Sequence, residues 1–326
     1  MSNFNSKLTI ATTLALLLTG CITINATSLD FNESKNLSLS AKEITQLNID
    51  AAAGYLKIIG DDSISDIQVT ANIEAYNEDF KLSLKSNGDY AELEADANPG
   101  SHIQWGNNSA KIDLTVRLPS NMKLKVKDGS GKITITNIKN NVKIDDGSGS
   151  MDITDIQGSL EIEDGSGNIT VDQVSGNINI DDNSGNMEIE KVGGTLNIED
   201  GSGNIIINQV SGNIDIDDDS GNMEIEKVEG TLNIEDGSGN ITINQVTGNI
   251  DIDDDSGTIN IEIVGGSLNI KDRSGDIDIT DVSGLVTIDD GSGDINLKTL
   301  HKGLTIVEEG SGGLKMDDIK GSVSIK

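Results

Sequence analysis

Ser166-Gly167-Asn168-Ile169-Thr170-Val171-Asp172-Gln173-Val174-Ser175-Gly176-Asn177-Ile178-Asn179-Ile180-Asp181-Asp182-Asn183 reads as one coil of a solenoid, and the chain on either side repeats it. With the Ser as origin, the register runs through Ser130, Ser148, Ser166, Ser184, Ser202, Ser220, Ser238, Ser256, Ser274 and Ser292, one every 18 residues, then slips by one to Ser311. A fixed period of this length is the signature of stacked supersecondary units. Within the coil, Ile169, Val171 and Val174 precede a second turn at Ser175-Gly176, and Ile178 and Ile180 follow it. The next coil places Met187, Ile189, Val192, Leu196 and Ile198 in the same way. Apolar residues alternating with polar ones, rich in β-branched Ile and Val, give two short strands per coil with one buried face each. The expected fold class is all-β: a parallel β-helix or flattened β-roll of 18-residue coils. At the inter-strand spacing of roughly 4.8 Å, ten coils make a rod on the order of 50 Å long, filled by ladders of Ile on Ile.

Gly follows both turns, at Gly167 and Gly176 and again at Gly185 and Gly194, which suits corners that need positive φ or close backbone approach. Asn168, Asn186, Asn204, Asn222 and Asn240 occupy one polar column in consecutive coils, and stacked Asn side chains hydrogen-bond along such an axis. A longer unit is superimposed: residues 184–219 and 220–255 differ only at Gly193/Glu229, Ile206/Thr242 and Ser211/Thr247. A duplicated pair of coils adds reach or surface, whereas a catalytic centre gains little from it.

The composition changes near residue 125. Beyond the first segment every aromatic residue lies before it, at Phe31, Tyr55, Tyr76, Phe80, Tyr90 and Trp105, as do Pro99 and Pro119. Alternation over residues 46–49, 55–59, 67–73, 80–84 and 112–118 suggests strands of an irregular β cap over the first coil, whose open edge needs cover. Residues 1–20 read as a signal peptide, 21–125 as the N-terminal β cap region and 126–326 as the repeat β-solenoid. In the first segment Lys7 precedes a mostly apolar run from Leu8 to Leu18, then Leu18-Thr19-Gly20-Cys21, which looks like a bacterial lipobox with lipid attachment at Cys21, the single cysteine. Ordinary secretion with cleavage after Ile24-Asn25-Ala26 is the alternative. The run is too short to span a bilayer as a helix. One cysteine allows no disulfide. Ile22 and Thr23 after the Cys favour the outer membrane in a diderm bacterium, on its periplasmic or surface face.

The net charge of −32 argues against nucleic acid as a partner and against bare anionic surfaces. An Asp lies two residues before each Ser-Gly turn: Asp128, Asp146, Asp164, Asp182, Asp200, Asp218, Asp236, Asp254, Asp272 and Asp290. Like charges stacked at coil spacing need an offset, either turn N–H groups or cations between coils. Turn capping is the expected role. Ca²⁺ is the alternative, at the richest turns, Asp217-Asp218-Asp219 and Asp253-Asp254-Asp255; the spacing of calcium-binding nonapeptide repeats is absent, since Ile169 stands where those place Asp. Lys271 and Arg273 flank Asp272 and neutralise part of that edge without metal, and Lys315, Lys320 and Lys326 place charge at the last strands.

Nothing in the chain forms a catalytic constellation. His102 and His301 are too few for a transition-metal cluster, the serines sit in turns, and Gly-Ser-Gly is never followed by the Gly-Lys-Ser/Thr of a phosphate loop. The expectation is no enzyme, no catalytic residue, no cofactor and no dedicated metal site. Trp105 is the aromatic residue with an alternative role in binding, core cover being the ordinary one.

Leu114-Thr115-Val116-Arg117-Leu118-Pro119, then Leu124-Lys125-Val126-Lys127-Asp128-Gly129-Ser130-Gly131 and the Gly-Ser-Gly-Asn-Ile-Thr-Val coils that follow, resemble a bacterial family of unknown function labelled "putative adhesin". The resemblance implies an extracytoplasmic β-helical domain and carries no catalytic residues. The expected function is a non-enzymatic, lipid-anchored cell-envelope solenoid that presents an acidic surface to an envelope or protein partner. The alternatives are a Ca²⁺-stiffened rod and an envelope-stress or signalling accessory protein acting through the cap.

Overall fold

In the computed structural model, residue 29 and residues 31–99, 110–308 and 310–326 are described. The ladder pairing of successive coils closes the chain into two 15-stranded sheets that share one core. Each repeat coil gives one strand to each sheet. β8 (Lys123–Asp128), β9 (Ile133–Ile138), β10 (Val142–Asp146) and β11 (Met151–Ile156) set the pattern, which continues to β29 (Leu314–Ile319) and β30 (Ser322–Ile325). Residues pair in parallel with those 18 positions on, Ile169 with Met187 and Ile178 with Leu196, so every inward side chain stacks on its equivalent. The expected flattened β-roll is therefore the architecture, with two sheets.

The strands before residue 125 belong to the same two sheets. They are β1 (Phe31–Ser40), β2 (Gln46–Ala51), β3 (Leu56–Gly60), β4 (Asp66–Ala75), β5 (Lys81–Asn87), β6 (Tyr90–Asp96) and β7 (Lys111–Leu118). β2 and β3 form a coil that lies between the β6–β7 coil and the β8–β9 coil, parallel to both. Antiparallel β4 and β1 end one sheet, and antiparallel β5 ends the other. The change near residue 125 is thus one of composition within continuous sheets, and strand direction reverses only toward their ends, at β4 and β5. β1 and β6 had no counterpart among the strands expected from alternation. Their buried positions are small or sparse: Ala91, Leu93 and Ala95 in β6, while no residue of β1 is fully buried.

One backbone feature shapes every coil. Ile169 and Val171 point inward, and strict alternation would bring Gln173 in and send Val174 out. Gln173 instead has φ 61° and Val174 is buried. The same left-handed residue recurs at Asn137, Asp155, Lys191, Gln209, Lys227, Gln245, Ile263, Asp281 and Thr299, with φ between 56° and 62°. It adds one residue to the arc and turns the chain from one sheet toward the other.

The two turn glycines do different work. Gly203 has φ 149°, and a Cβ there would meet the carbonyl oxygen of Gly185 in the coil below at 1.5 Å. Gly212 is not in that region, yet its Cβ would lie 2.2 Å from the oxygen of Gly194. The Asn ladder forms as expected: Nδ2 of Asn204, Asn222 and Asn240 donates to Oδ1 of the Asn one coil earlier at 3.0, 3.1 and 3.0 Å. The same Oδ1 atoms accept the backbone N–H of those residues. A second ladder, unforeseen, runs along the other turn, where Asn141, Asn177, Asn213 and Asn249 accept from the N–H of Ser159, Thr195, Thr231 and Ser267. It uses every second coil, which gives the 36-residue unit a structural basis.

Candidate functional site: the acidic face and the buried aspartate column

The strand Ile178-Asn179-Ile180-Asp181-Asp182 alternates inward and outward, and so divides its carboxylates between two environments. Asp181 faces solvent. Asp182, at i+4 from Ile178, faces the core. The same division in each coil builds an outer and an inner column.

The outer column is Asp145, Glu163, Asp181, Glu199, Asp217, Glu235 and Asp253, all exposed on one sheet face and in parallel register. Lys143 bonds Glu163 at 2.7 Å at one end, and Lys271 bonds Asp253 at 2.6 Å at the other. Between them Asp181, Glu199, Asp217 and Glu235 have no cationic partner among the described residues. The charge is concentrated: residues 144–297 hold four basic and 35 acidic residues, a net −31 of the total −32. Over about 41 Å of rod at ~4.8 Å per coil, that is about one charge per 1.3 Å, comparable with the roughly one per 1.7 Å of duplex DNA.

The inner column comprises all ten aspartates of the Ser-Gly turns, from Asp254 at 0 % exposed to Asp200 at 5 %. In the nine from Asp146 to Asp290, Oδ1 accepts the backbone N–H of the Ser two residues on, at 2.9 to 3.2 Å. The turn-capping role expected from sequence is therefore present. Their burial had not been expected, although Ile-x-Ile-x-Asp, with the Asp at i+4, carries the signal. Oδ2 of every member is buried without a partner. Burial, with the neighbouring Asp182 and Asp146 carboxylates next in weight, pushes Asp164 up to about 7. Asp200, Asp236 and Asp272 rise to about 7 and Asp218 and Asp254 to about 6, with burial again the first cause. Two ionised carboxylates one strand spacing apart would repel by about 3 kcal/mol at an effective dielectric constant of 20.

The richest turns do not gather their three carboxylates at one point. Asp217 and Asp219 are exposed while Asp218 is buried between them. Asp253 and Asp255 pair with Lys271 and Arg273 of the next coil, so those cations serve the outer residues and not Asp272. Among the described residues no group of three or more His, Cys, Asp or Glu is arranged to hold a metal ion. His301 is exposed, with Nε2 2.9 Å from Oδ1 of Asp281. Cys21, the alternative cleavage site at 24–26, His102 and Trp105 lie outside the described residues.

No curated protein matches the chain. Among solved structures it is similar to a "putative adhesin" from Bacteroides fragilis, at 13 % identity and TM-score 0.31, covering 90 % of this chain and 97 % of that one. A "putative cell adhesion protein" from Clostridium sporogenes aligns at 14 % identity and TM-score 0.28, covering 71 % and 99 %. A "putative lipid binding protein" from Parabacteroides distasonis aligns at 16 % identity and TM-score 0.31, covering 92 % and 98 %. At these scores none of the three bears on what this chain binds. The family model described as Toastrack DUF4097 matches residues 79–229 and 159–271, most of the chain, and with its Gly-Ser-Gly coils stacked in two parallel sheets the protein belongs to the Toastrack DUF4097 family.

Proposed function

We propose that this protein is a non-enzymatic binding rod of the cell envelope, acylated at Cys21, that presents the outer acidic face of its solenoid to an envelope or cell-surface partner in an adhesin-like role. The observation that carries the reading is the run Asp181, Glu199, Asp217 and Glu235: four exposed carboxylates in strict register on one sheet face, without cationic partners among the described residues. Unneutralised charge at this density gives nothing to stability and favours a partner that brings positive charge, releasing counterions on contact. Duplication of a whole 36-residue unit lengthens this face and leaves its pattern unchanged. In a diderm bacterium the lipobox sequence supports the outer membrane as the site of anchoring.

Two variants separate the anchor from the face. Cys21→Ser should abolish incorporation of labelled palmitate and release the protein from the membrane fraction. Asp181→Asn, Glu199→Gln, Asp217→Asn and Glu235→Gln together should leave the protein anchored and folded and abolish its binding to isolated envelopes. Labelled and membrane-bound Cys21→Ser protein would overturn the first half of the reading, and unchanged binding by the neutralised variant the second.

A further inference from the structure

The inner aspartate column has an unresolved account on one side of each carboxylate. Oδ1 is satisfied by the turn N–H in nine members, but Oδ2 is buried and unpartnered in all ten, from Asp128 to Asp290. Consecutive members sit in parallel register, Asp164 against Asp182, Asp182 against Asp200 and Asp200 against Asp218, so each Oδ2 has the next carboxyl group one strand spacing away.

No positive charge faces the column. Along the sheet its charged neighbours are the outward Asp145, Asp181, Asp217, Asp253 and Asp289, and at the turns Asp219, Asp255 and Asp276. From the opposite sheet only Ile, Val, Leu and Met enter the core. Lys127, Lys271 and Arg273 border it, but Lys127 points to solvent beside Asp128, and Lys271 and Arg273 are engaged by Asp253 and Asp255. A buried carboxylate oxygen with no donor is costly, and a row of like charges is costlier. Capture of a proton lowers both costs, since a carboxylic acid carries no charge.

We propose that the column is a proton-binding site running the length of the rod, in which neighbouring aspartates take up about one proton per pair from solvent at neutral pH, so that each ionised carboxylate has a neutral carboxyl group in the coil beside it. Each pair then carries one negative charge in place of two, which removes the repulsion between stacked carboxylates. The raised proton affinity of all ten members, for which burial is the first cause, agrees with this arrangement.

The test is infrared spectroscopy of the full-length protein in detergent between pH 4 and pH 9, reading the carbonyl stretch of protonated carboxyl groups. About five protonated carboxyls should persist at pH 7 and disappear only above it. Their absence at pH 7 would overturn the proposal. As a second arm, Asp164→Asn, Asp200→Asn, Asp236→Asn and Asp272→Asn are combined, because an amide has the same shape and is neutral at every pH. The melting temperature of the parent should fall as pH rises from 5 to 8, and that of the variant should fall markedly less, since only its six remaining column aspartates still take up protons. Equal slopes would overturn the proposal, and the infrared count decides the question should the variant fail to fold.

Discussion

Ile263 should be the weakest corner of the rod, and its replacement by Asn is a sharp test of the coil geometry. Its φ is 59°, in the left-handed region, where Asn, Asp, Gln and Lys occupy most other coils. An L-residue there costs roughly 1–2 kcal/mol, least for Gly and Asn and most for β-branched side chains. Ile263 is also 45 % exposed, so Asn gives up about 1 kcal/mol of partial burial. Ile206 supplies the control: it is 44 % exposed on the same sheet but does not share the left-handed backbone. Ile206→Asn loses the burial and gains nothing in return. The difference between the two substitutions isolates the backbone term, and it should favour Ile263→Asn by about 1–2 kcal/mol. Urea unfolding of both variants with the parent gives the two free energies directly. Equal shifts would show that the corner imposes no strain on Ile263, and the left-handed arc would lose its energetic basis.

Other expectations follow from the same stacking. Gly203→Ala should cost more than about 3 kcal/mol or prevent folding, since its Cβ would overlap the Gly185 carbonyl and its φ is 149°, a result visible in expression and urea midpoint. Asn204→Ala removes bonds to Asn186 and Asn222 and should cost about 1–2 kcal/mol by the same assay. Deleting residues 184–219 joins Asn183 to Ser220 in the register it had with Ser184, so the chain should fold into a rod about 10 Å shorter, measurable by small-angle scattering. For pH the sign is set by the raised folded pKa values: the folded chain holds protons that the unfolded aspartates, near 3.9, release. The column's contribution is present in full below about pH 4 and lost as pH rises through about 6 to 7, so melting at pH 5.5 should exceed that at pH 8.

Much of this was legible in the chain because an 18-residue period fixes which residues stack. The two strands per coil, the Asn168-to-Asn240 ladder and the capping of Ser N–H groups by Asp all follow from local pattern. What escaped has physical reasons. The left-handed residue before Val174 shows in sequence only as a gap of three where alternation gives two, and its mostly polar occupants look like any outward-facing residue of a strand. The burial of Asp182 was obscured by the usual solvent preference of Asp, although its position beyond Ile178 and Ile180 placed it on the inner face. The insertion of the β2–β3 coil between later ones is a long-range choice with no local signature.

The most direct test of the acidic face is co-sedimentation of the full chain, carrying Cys21→Ser so that the proposed acylation plays no part, with isolated bacterial envelopes across a salt series. The comparison is the same protein with Asp181→Asn, Glu199→Gln, Asp217→Asn and Glu235→Gln. The account predicts binding that weakens steeply as salt rises, and at least a tenfold loss in the neutralised protein at an unchanged melting temperature. Equal binding by the two proteins at every salt concentration would contradict it.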